Sequence, residues 1–250
     1  MGKVQWVPWW WVAAGSAGMA AISSVTPLTA AGWAAGIGYL VVSTALLMRG
    51  IRQGRVERFG PANAVTATRS MLVGLVTALV VVSFTGEVST ALLVTLVAVA
   101  LALDGVDGYV ARRTRSESDL GARFDMEVDA FLLLVLCVYD ARYVGWWVLA
   151  IGLLRYAFVA LGFVLPWMQR TLPPRYWRKV VTAACGVALA IVASQLLPAP
   201  VNTVVALAAL LLALESFGRD LIWLARVNLA GARLVSLEKA STISPPEESR

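Results

Sequence analysis

Four aspartates stand in two pairs that follow each other closely in the chain. Asp104 and Asp107 lie near the end of one apolar run, and Asp125 and Asp129 open the next. Residues three or four apart share one face of a helix, so each pair presents two carboxylates together. The connection, residues 113–120, is short, which predicts antiparallel neighbouring helices with both pairs at a similar depth.

A bound cation would offset the cost of placing these four aspartates together in the membrane. A charge at the centre of a membrane helix costs roughly 2.5–3.5 kcal/mol, and four facing carboxylates would also repel one another. Carboxylate oxygens suit Mg²⁺, Mn²⁺ or Ca²⁺. Four of them are enough for two ions about 4 Å apart, the arrangement used in phosphoryl transfer.

The rest of the composition narrows the possible chemistry further. The sequence contains no histidine, which excludes a Ser-His-Asp triad, a histidine-ligated haem and the common histidine-based zinc sites. Cys137 and Cys185 lie in separate apolar runs. We predict that they are small buried hydrophobes and not a disulfide or a metal-binding pair.

Small residues and one arginine follow the first aspartates. Gly108 lies one helical turn after Asp104, where the absence of a side chain would let a bulky ligand approach the backbone. Arg112 lies one turn further along and could hold a phosphate through two hydrogen bonds, and Ala111 beside it is small. Two other interpretations stay open: a proton or cation relay in a transporter, and structural ion pairs with nearby arginines. Glycines alone would indicate a helix-packing contact.

The surrounding chain has the composition of a membrane protein. It is 59% hydrophobic and 14% charged, with a mean hydropathy of +0.76, whereas soluble domains are about 45–50% apolar and about 25% charged. A water-soluble enzyme and a disordered chain are both excluded. Eight apolar segments have about the length that crosses ~30 Å of hydrocarbon as a helix. They are residues 8–26, 29–48, 63–84, 89–112, 121–140, 144–166, 180–197 and 202–225.

Basic residues predict the orientation of these segments. Arginines and lysines follow the second, fourth, sixth and eighth segments, whereas the opposite connections carry one basic residue, Arg142. By the positive-inside rule both termini and the aspartates face the cytoplasm. The net charge of +6 predicts attraction to anionic lipids, and no soluble basic face suggests a nucleic-acid partner. The first segment could be a cleaved signal peptide, but its tryptophans favour an interfacial belt.

The aspartates, the small residues and the arginine belong to one longer pattern over residues 104–129. It reads Asp-Gly-Val-Asp-Gly-Tyr-Val-Ala-Arg, then eight residues, then Gly-Ala-Arg-Phe-Asp-Met-Glu-Val-Asp. This pattern resembles the signature of the CDP-alcohol phosphotransferase family, Asp-x2-Asp-Gly-x2-Ala-Arg-x8-Gly-x3-Asp-x3-Asp, at every fixed position. A looser likeness to the family's six-span core covers about residues 60–226.

The resemblance implies a reaction and a role for each matching residue. The family cleaves the pyrophosphate of a CDP-linked lipid, moves the phosphatidyl group to an alcohol and releases CMP. Two Mg²⁺ or Mn²⁺ ions would be held by Asp104, Asp107 and Asp125, with Asp129 contributing and acting as general base. The CDP moiety would be contacted by Gly108, Ala111, Arg112, Ser118 and Gly121.

Further candidates lie outside the signature. Asn63 and Thr66 fit an Asn-x2-Thr-x2-Arg pattern at the start of many family cores and would line the nucleotide pocket, with a helix N-cap as the alternative. Arg155 lies inside the sixth segment and could bind a phosphate of the acceptor or pair with a site acid. Arg178 and Lys179 resemble the Lys-x-Lys-Thr region of phosphatidylglycerophosphate synthases, although a preceding glycine and the second lysine are missing. A positive-inside anchor explains them equally well.

The predicted protein is an all-α polytopic membrane helix bundle of the cell membrane and, by resemblance, a homodimer. Residues 1–58 would form two extra transmembrane helices and a basic linker, 59–226 a six-helix catalytic core, and 227–250 a disordered cytoplasmic tail. The expected donor is CDP-diacylglycerol. The expected acceptor is a small alcohol such as glycerol 3-phosphate or inositol phosphate. One alternative is transfer from a CDP-linked small alcohol to a lipid acceptor. A second alternative is a cation- or proton-coupled transporter.

Overall fold

A computed structural model describes the backbone of residues 7–50, 61–114, 119–170 and 176–243. It describes the side chains of residues 9–50, 64–106, 121–170 and 176–229. Within these ranges the chain forms eight α-helices and no strand, one helix for each predicted segment. They are α1 (Val7–Ser23), α2 (Ala30–Gly50), α3 (Pro61–Val82), α4 (Thr90–Thr114), α5 (Asp119–Val144), α6 (Leu149–Val164), α7 (Tyr176–Ser194) and α8 (Ala199–Ile243).

Five of the described helices have stretches long and apolar enough to cross a membrane: Ala30–Gly50, Ala64–Val82, Trp146–Val164, Tyr176–Ser194 and Ala199–Leu229. α1 has 17 residues, and the described apolar part of α4 is also short. α5 carries charged side chains near both of its ends. The protein is an all-α polytopic membrane bundle, as the composition predicted.

Hydroxyl side chains mark the starts of two helices after tight connections. Thr29 Oγ1 accepts a hydrogen bond from the Gly32 amide at 3.2 Å. In the same way, Ser89 Oγ accepts one from the Leu92 amide at 3.3 Å. Such caps satisfy amide groups that have no partner within the helix, and they therefore fix where α2 and α4 begin.

The end of α8 differs from the prediction. The eighth segment was expected to stop near 225 and residues from 227 to be disordered, but α8 continues to Ile243. Nine of the residues 227–243 are leucine, alanine, arginine, glutamate or lysine, which favour helices, and no proline occurs before Pro245. An established helix extends through such residues without an apolar face, because each added residue needs only a favourable propensity. Residues 244–250 lie outside the described residues.

α3 lies at the centre of the bundle. It contacts α1, α2, α4 and α5, while α7 packs against α4, α5 and α8. Val73, Val76 and Leu79 of α3 are fully buried in one apolar core with Leu93 of α4 and Leu136 of α5. This packing fixes α3, α4 and α5 against one another, and these three helices carry the residues of the candidate site.

The two cysteines are part of the same core. Cys137 on α5 and Cys185 on α7 are both buried and free, and the Cys185 thiol donates to the Ala209 carbonyl at 3.5 Å. The prediction that they are small buried hydrophobes is confirmed.

Glycines seat α2 on α3. A Cβ added to Gly36 would lie 3.1 Å from the Gly74 carbonyl oxygen, and one added to Gly32 would lie 3.1 Å from the Ala78 carbonyl oxygen. A side chain at either position would therefore separate the two helices. A Cβ on Gly38 would meet no described atom within 4 Å. The small residues of α2 thus pack against α3 at Gly32 and Gly36.

Candidate metal centre

Three of the four predicted aspartates converge where α4 ends and α5 begins. Asp104 comes from α4, and Asp125 and Asp129 from α5; one carboxylate oxygen of each lies within 4.8 Å of the others. Their side chains are 37%, 30% and 24% exposed, so a small ion can reach the oxygens. Asp107 belongs to α4, and its side chain lies outside the described part of the chain.

A fourth residue, Arg69 of α3, lies at the centre of these carboxylates. It is fully buried, and its Nη1 donates to Asp104 Oδ1 at 2.7 Å. Nη2 lies 2.9 Å from Asp129 Oδ1, forms an ion pair with the Asp125 carboxylate, and donates to the Asp125 carbonyl at 3.3 Å. One guanidinium therefore joins three helices.

Sequence reasoning did not assign Arg69 a role of its own. It appeared only as the last position of the Asn-x2-Thr-x2-Arg pattern. The sequence nevertheless holds a usable signal, because Arg69 is the sole charged residue in the sequence of α3. A lone charge inside an apolar membrane helix requires a polar partner within the bundle, and Asp104 is the first acid after Arg69 that lies inside an apolar segment.

The electrostatics of the site fit a divalent cation. Counted as formal charges, these three carboxylates and the one guanidinium sum to −2. The ligand atoms are all hard oxygens, the type that Mg²⁺ and Mn²⁺ prefer. A Cβ added to Gly105, beside Asp104, would meet no described atom within 4 Å. The three described aspartates therefore fit a divalent cation in ligand type and access.

The remaining candidates for the nucleotide lie near this site or outside the described side chains. Thr66 is buried on α3, one turn before Arg69, and Gly121 is partly exposed near the start of α5. Gly108, Ala111 and Arg112 lie on α4 and Asn63 on α3, with side chains outside the described set; Ser118 lies outside it entirely.

The three candidates for the acceptor lie on α6 and α7. Arg155 forms an ion pair with Glu127 of α5, an acid on the signature segment but not one of the predicted ligands. Arg178 Nε lies 3.4 Å from Asp220 Oδ2 of α8, and Lys179 is exposed. The acids that pair with Arg155 and Arg178 lie on other helices, far from these arginines in the sequence. The spacing of residues within one helix could therefore not reveal the pairs.

A second group of charges joins α7 to α8. Besides the pair of Arg178 and Asp220, Trp177 Nε1 donates to Glu215 Oε2 at 3.0 Å, and Glu215 forms an ion pair with Arg219 one turn along α8. We call these five residues the α7–α8 ion-pair group. It contains two carboxylates and two guanidiniums.

Fold and site together define a class of protein: a polytopic membrane helix bundle with an acidic, oxygen-only site between three helices. The family model for CDP-alcohol phosphatidyltransferase matches residues 59–215 of this chain. The chain belongs to the CDP-alcohol phosphatidyltransferase family. The match begins just before α3 and ends within α8, so α1 and α2 precede it. No curated protein and no solved structure matches the chain significantly.

Membership confirms the family that the signature indicated. It is a family of transferases, and it indicates phosphatidyl transfer from a CDP-alcohol.

Proposed function

We propose that this protein is a Mg²⁺- or Mn²⁺-dependent enzyme that transfers the phosphatidyl group of CDP-diacylglycerol to a small alcohol and releases CMP, in phospholipid biosynthesis. The observation that carries the proposal is the convergence of Asp104, Asp125 and Asp129, whose carboxylate oxygens lie within 4.8 Å of one another. A structural ion pair with one arginine needs a single carboxylate, whereas a site for divalent ions needs several oxygen ligands.

Each aspartate has a distinct role in the proposed reaction. Asp104, Asp107 and Asp125 hold two ions, and Asp129 contributes to the site. When bound, the ions supply charge neutralisation of the pyrophosphate and stabilise CMP as a leaving group. The hydroxyl oxygen of the acceptor attacks the phosphatidyl phosphorus, and the bond from this phosphorus to CMP breaks. Asp129 accepts the proton that the hydroxyl group loses.

Arg69 holds the three carboxylates in place. Its guanidinium is fixed by bonds to all three, so their oxygens are oriented before any ligand binds. It also lowers the repulsion among them, which would otherwise spread the carboxylates apart.

The CDP moiety is proposed to lie along the start of α5 and the adjoining turns of α3 and α4. Small residues there leave room for the nucleotide, and Arg112 binds a phosphate oxygen. The proposed contacts are Gly108, Ala111, Arg112, Ser118, Gly121, Asn63 and Thr66.

A phosphorylated acceptor, such as glycerol 3-phosphate or inositol phosphate, is proposed to bind near Arg155, Arg178 and Lys179. Arg155 already pairs with Glu127, yet its buried Nε has no hydrogen-bond partner among the described atoms. A guanidinium offers five N–H donors, so one ion pair leaves capacity for a phosphate.

The remaining proposals concern the arrangement in the cell. The enzyme is a multi-pass protein of the cell membrane with both termini and the active site on the cytoplasmic side, and it forms a homodimer. Residues 1–58 precede a catalytic core of residues 59–226. With this orientation, soluble acceptor and CMP exchange with the cytoplasm while the acyl chains of the donor remain in the bilayer.

The test is CMP release by the full-length protein in lipid nanodiscs. CDP-diacylglycerol and CDP-linked small alcohols are each offered with phosphorylated and unphosphorylated acceptors, with Mg²⁺ or with EDTA. We expect CMP only with Mg²⁺, with CDP-diacylglycerol and with a phosphorylated acceptor.

Two controls make the result specific. Asp125→Asn should be inactive, while Asp140→Asn, the same change at the far end of α5, should keep wild-type activity. Activity only with a CDP-linked small alcohol would move the donor to that class. No CMP from any combination would refute the enzyme function.

A further inference from the structure

Tyr39 of α2 bridges α3, which carries Arg69, and α5, which carries two of the three converging aspartates. Its ring stacks on Phe131 of α5, with ring centroids 4.5 Å apart and an interplanar angle of 18°. Its hydroxyl lies 3.3 Å from Ser70 Oγ of α3. A single side chain on an N-terminal helix therefore contacts both α3 and α5.

The polar end of Tyr39 belongs to a chain of hydrogen bonds. Ser43 Oγ donates to the Leu40 carbonyl at 3.2 Å, and Ser70 Oγ donates to Ser43 Oγ at 3.3 Å. Because the Ser70 proton is used in this way, the Tyr39 hydroxyl is the donor to Ser70 Oγ. Each of the three hydroxyl groups therefore donates its proton within this chain. The hydrogen bonds run from α2 to α3 and back to α2.

Both contacts of Tyr39 lie directly beside metal-centre residues. Ser70 follows Arg69 in the sequence, and Phe131 comes two residues after Asp129. Arg69 Nη2 lies only 2.9 Å from Asp129 Oδ1. A change in the spacing of α3 and α5 would therefore move the guanidinium relative to the carboxylates.

Close packing holds α2 in the position that Tyr39 requires. Leu40 lies against Gly74 of α3, where an added Cβ would approach the Leu40 side chain to 2.9 Å. Leu40 also fills the space beside Gly15 of α1, where an added Cβ would approach it to 2.6 Å. α1 and α2 consequently form one unit seated on α3.

We infer that the N-terminal helix pair braces the metal centre, with Tyr39 as the positioning residue that sets the spacing of α3 and α5. The inference rests on the proposed metal-dependent function and goes beyond it, because the matched family range begins only at residue 59. Tyr39 contacts neither metal nor substrate in this role; it acts through Ser70 and Phe131.

The test measures Mn²⁺ affinity of the full-length protein by electron paramagnetic resonance, without substrate. Tyr39→Leu removes both the ring stack and the hydroxyl, and we expect it to weaken Mn²⁺ binding about tenfold, the lower end of the range for groups that orient metal ligands. Tyr39→Phe keeps the stack and should weaken binding by a smaller factor. Tyr143→Phe is the matched control, because it removes a tyrosine hydroxyl at the far end of α5 and should leave the affinity unchanged.

A double-mutant cycle separates positioning from a general loss of folding. Tyr39→Phe and Ser70→Ala each remove one side of the same hydrogen bond, so their effects on Mn²⁺ affinity should not add. Additive effects would overturn the role of this bond. Thermal unfolding with EDTA checks that Tyr39→Phe remains folded.

The possible failures are distinguishable. Wild-type Mn²⁺ affinity in Tyr39→Leu would overturn the inference, whether or not the wild-type protein releases CMP. Mn²⁺ binding that weakens as expected, in a protein that releases no CMP, would support the inference and refute the proposed reaction. Absence of Mn²⁺ binding in the wild-type protein would overturn both.

Discussion

Two groups of charged side chains join helices in this bundle, and they differ in balance. At the candidate metal centre three carboxylates share one buried guanidinium, whereas the α7–α8 ion-pair group has two carboxylates and two guanidiniums. The cost of burying charge is offset by pairing in the second group but only in part in the first. Under the proposed function the first group holds a divalent cation, whereas the second is balanced among its described members and holds α7 to α8.

The largest effect is expected at the proposed base. Asp129→Asn keeps the size of the side chain but cannot accept a proton, so transfer should fall by about 10²–10⁴-fold. Binding of CDP-diacylglycerol, measured separately at equilibrium, should survive. Full activity in this variant would refute the role of Asp129 as base.

Loss of the central guanidinium should destabilise the protein in a metal-dependent way. Arg69→Gln leaves three carboxylates facing one another, and we expect a loss of about 3 kcal/mol in stability without metal. Mn²⁺ should restore part of the melting temperature, because the ion supplies the missing positive charge. Arg69→Lys, which keeps one charge, is the control with the smaller loss. An identical melting temperature for Arg69→Gln and the wild type in EDTA would contradict the central position of this residue.

The balanced group should respond differently. Arg178→Gln leaves Asp220, 7% exposed, without this cation, and we expect a loss of about 1–3 kcal/mol. Adding Asp220→Asn should recover much of it, because the uncompensated charge is then removed. Mn²⁺ should recover none. Recovery by Mn²⁺ would mean that this group also binds a cation, and the comparison would fail.

The smallest effect is expected at Trp177, the uncharged member of the α7–α8 ion-pair group. Trp177→Phe removes the hydrogen bond to Glu215 and should cost about 0.5–1.5 kcal/mol in thermal unfolding experiments. Mn²⁺ affinity should not change. A shift in metal affinity comparable with that of Arg69→Gln would show that the two charge groups are coupled.

Local patterns were sufficient for the helices and for part of the site. Eight apolar segments became eight helices in the described residues, because a continuous apolar run of that length has few other ways to satisfy its backbone in a membrane. Asp104, Asp125 and Asp129 could be expected to converge, because helical spacing and one short connection bring them together. The predicted end of the eighth helix was wrong. Hydropathy marks where the apolar residues stop, whereas a helix continues for as long as its residues favour helical structure.

The fold class, the family and the acidic half of the candidate site were predictable from the sequence alone. These depend on spacing within one or two neighbouring helices, which periodicity and a short connection fix. Only the tertiary structure placed Arg69 among the aspartates, paired Arg155 with Glu127, and set Tyr39 between α3 and α5. Each of these contacts joins side chains on different helices that are at least 28 residues apart in the chain. Such contacts depend on how whole helices pack, and no local pattern encodes that packing.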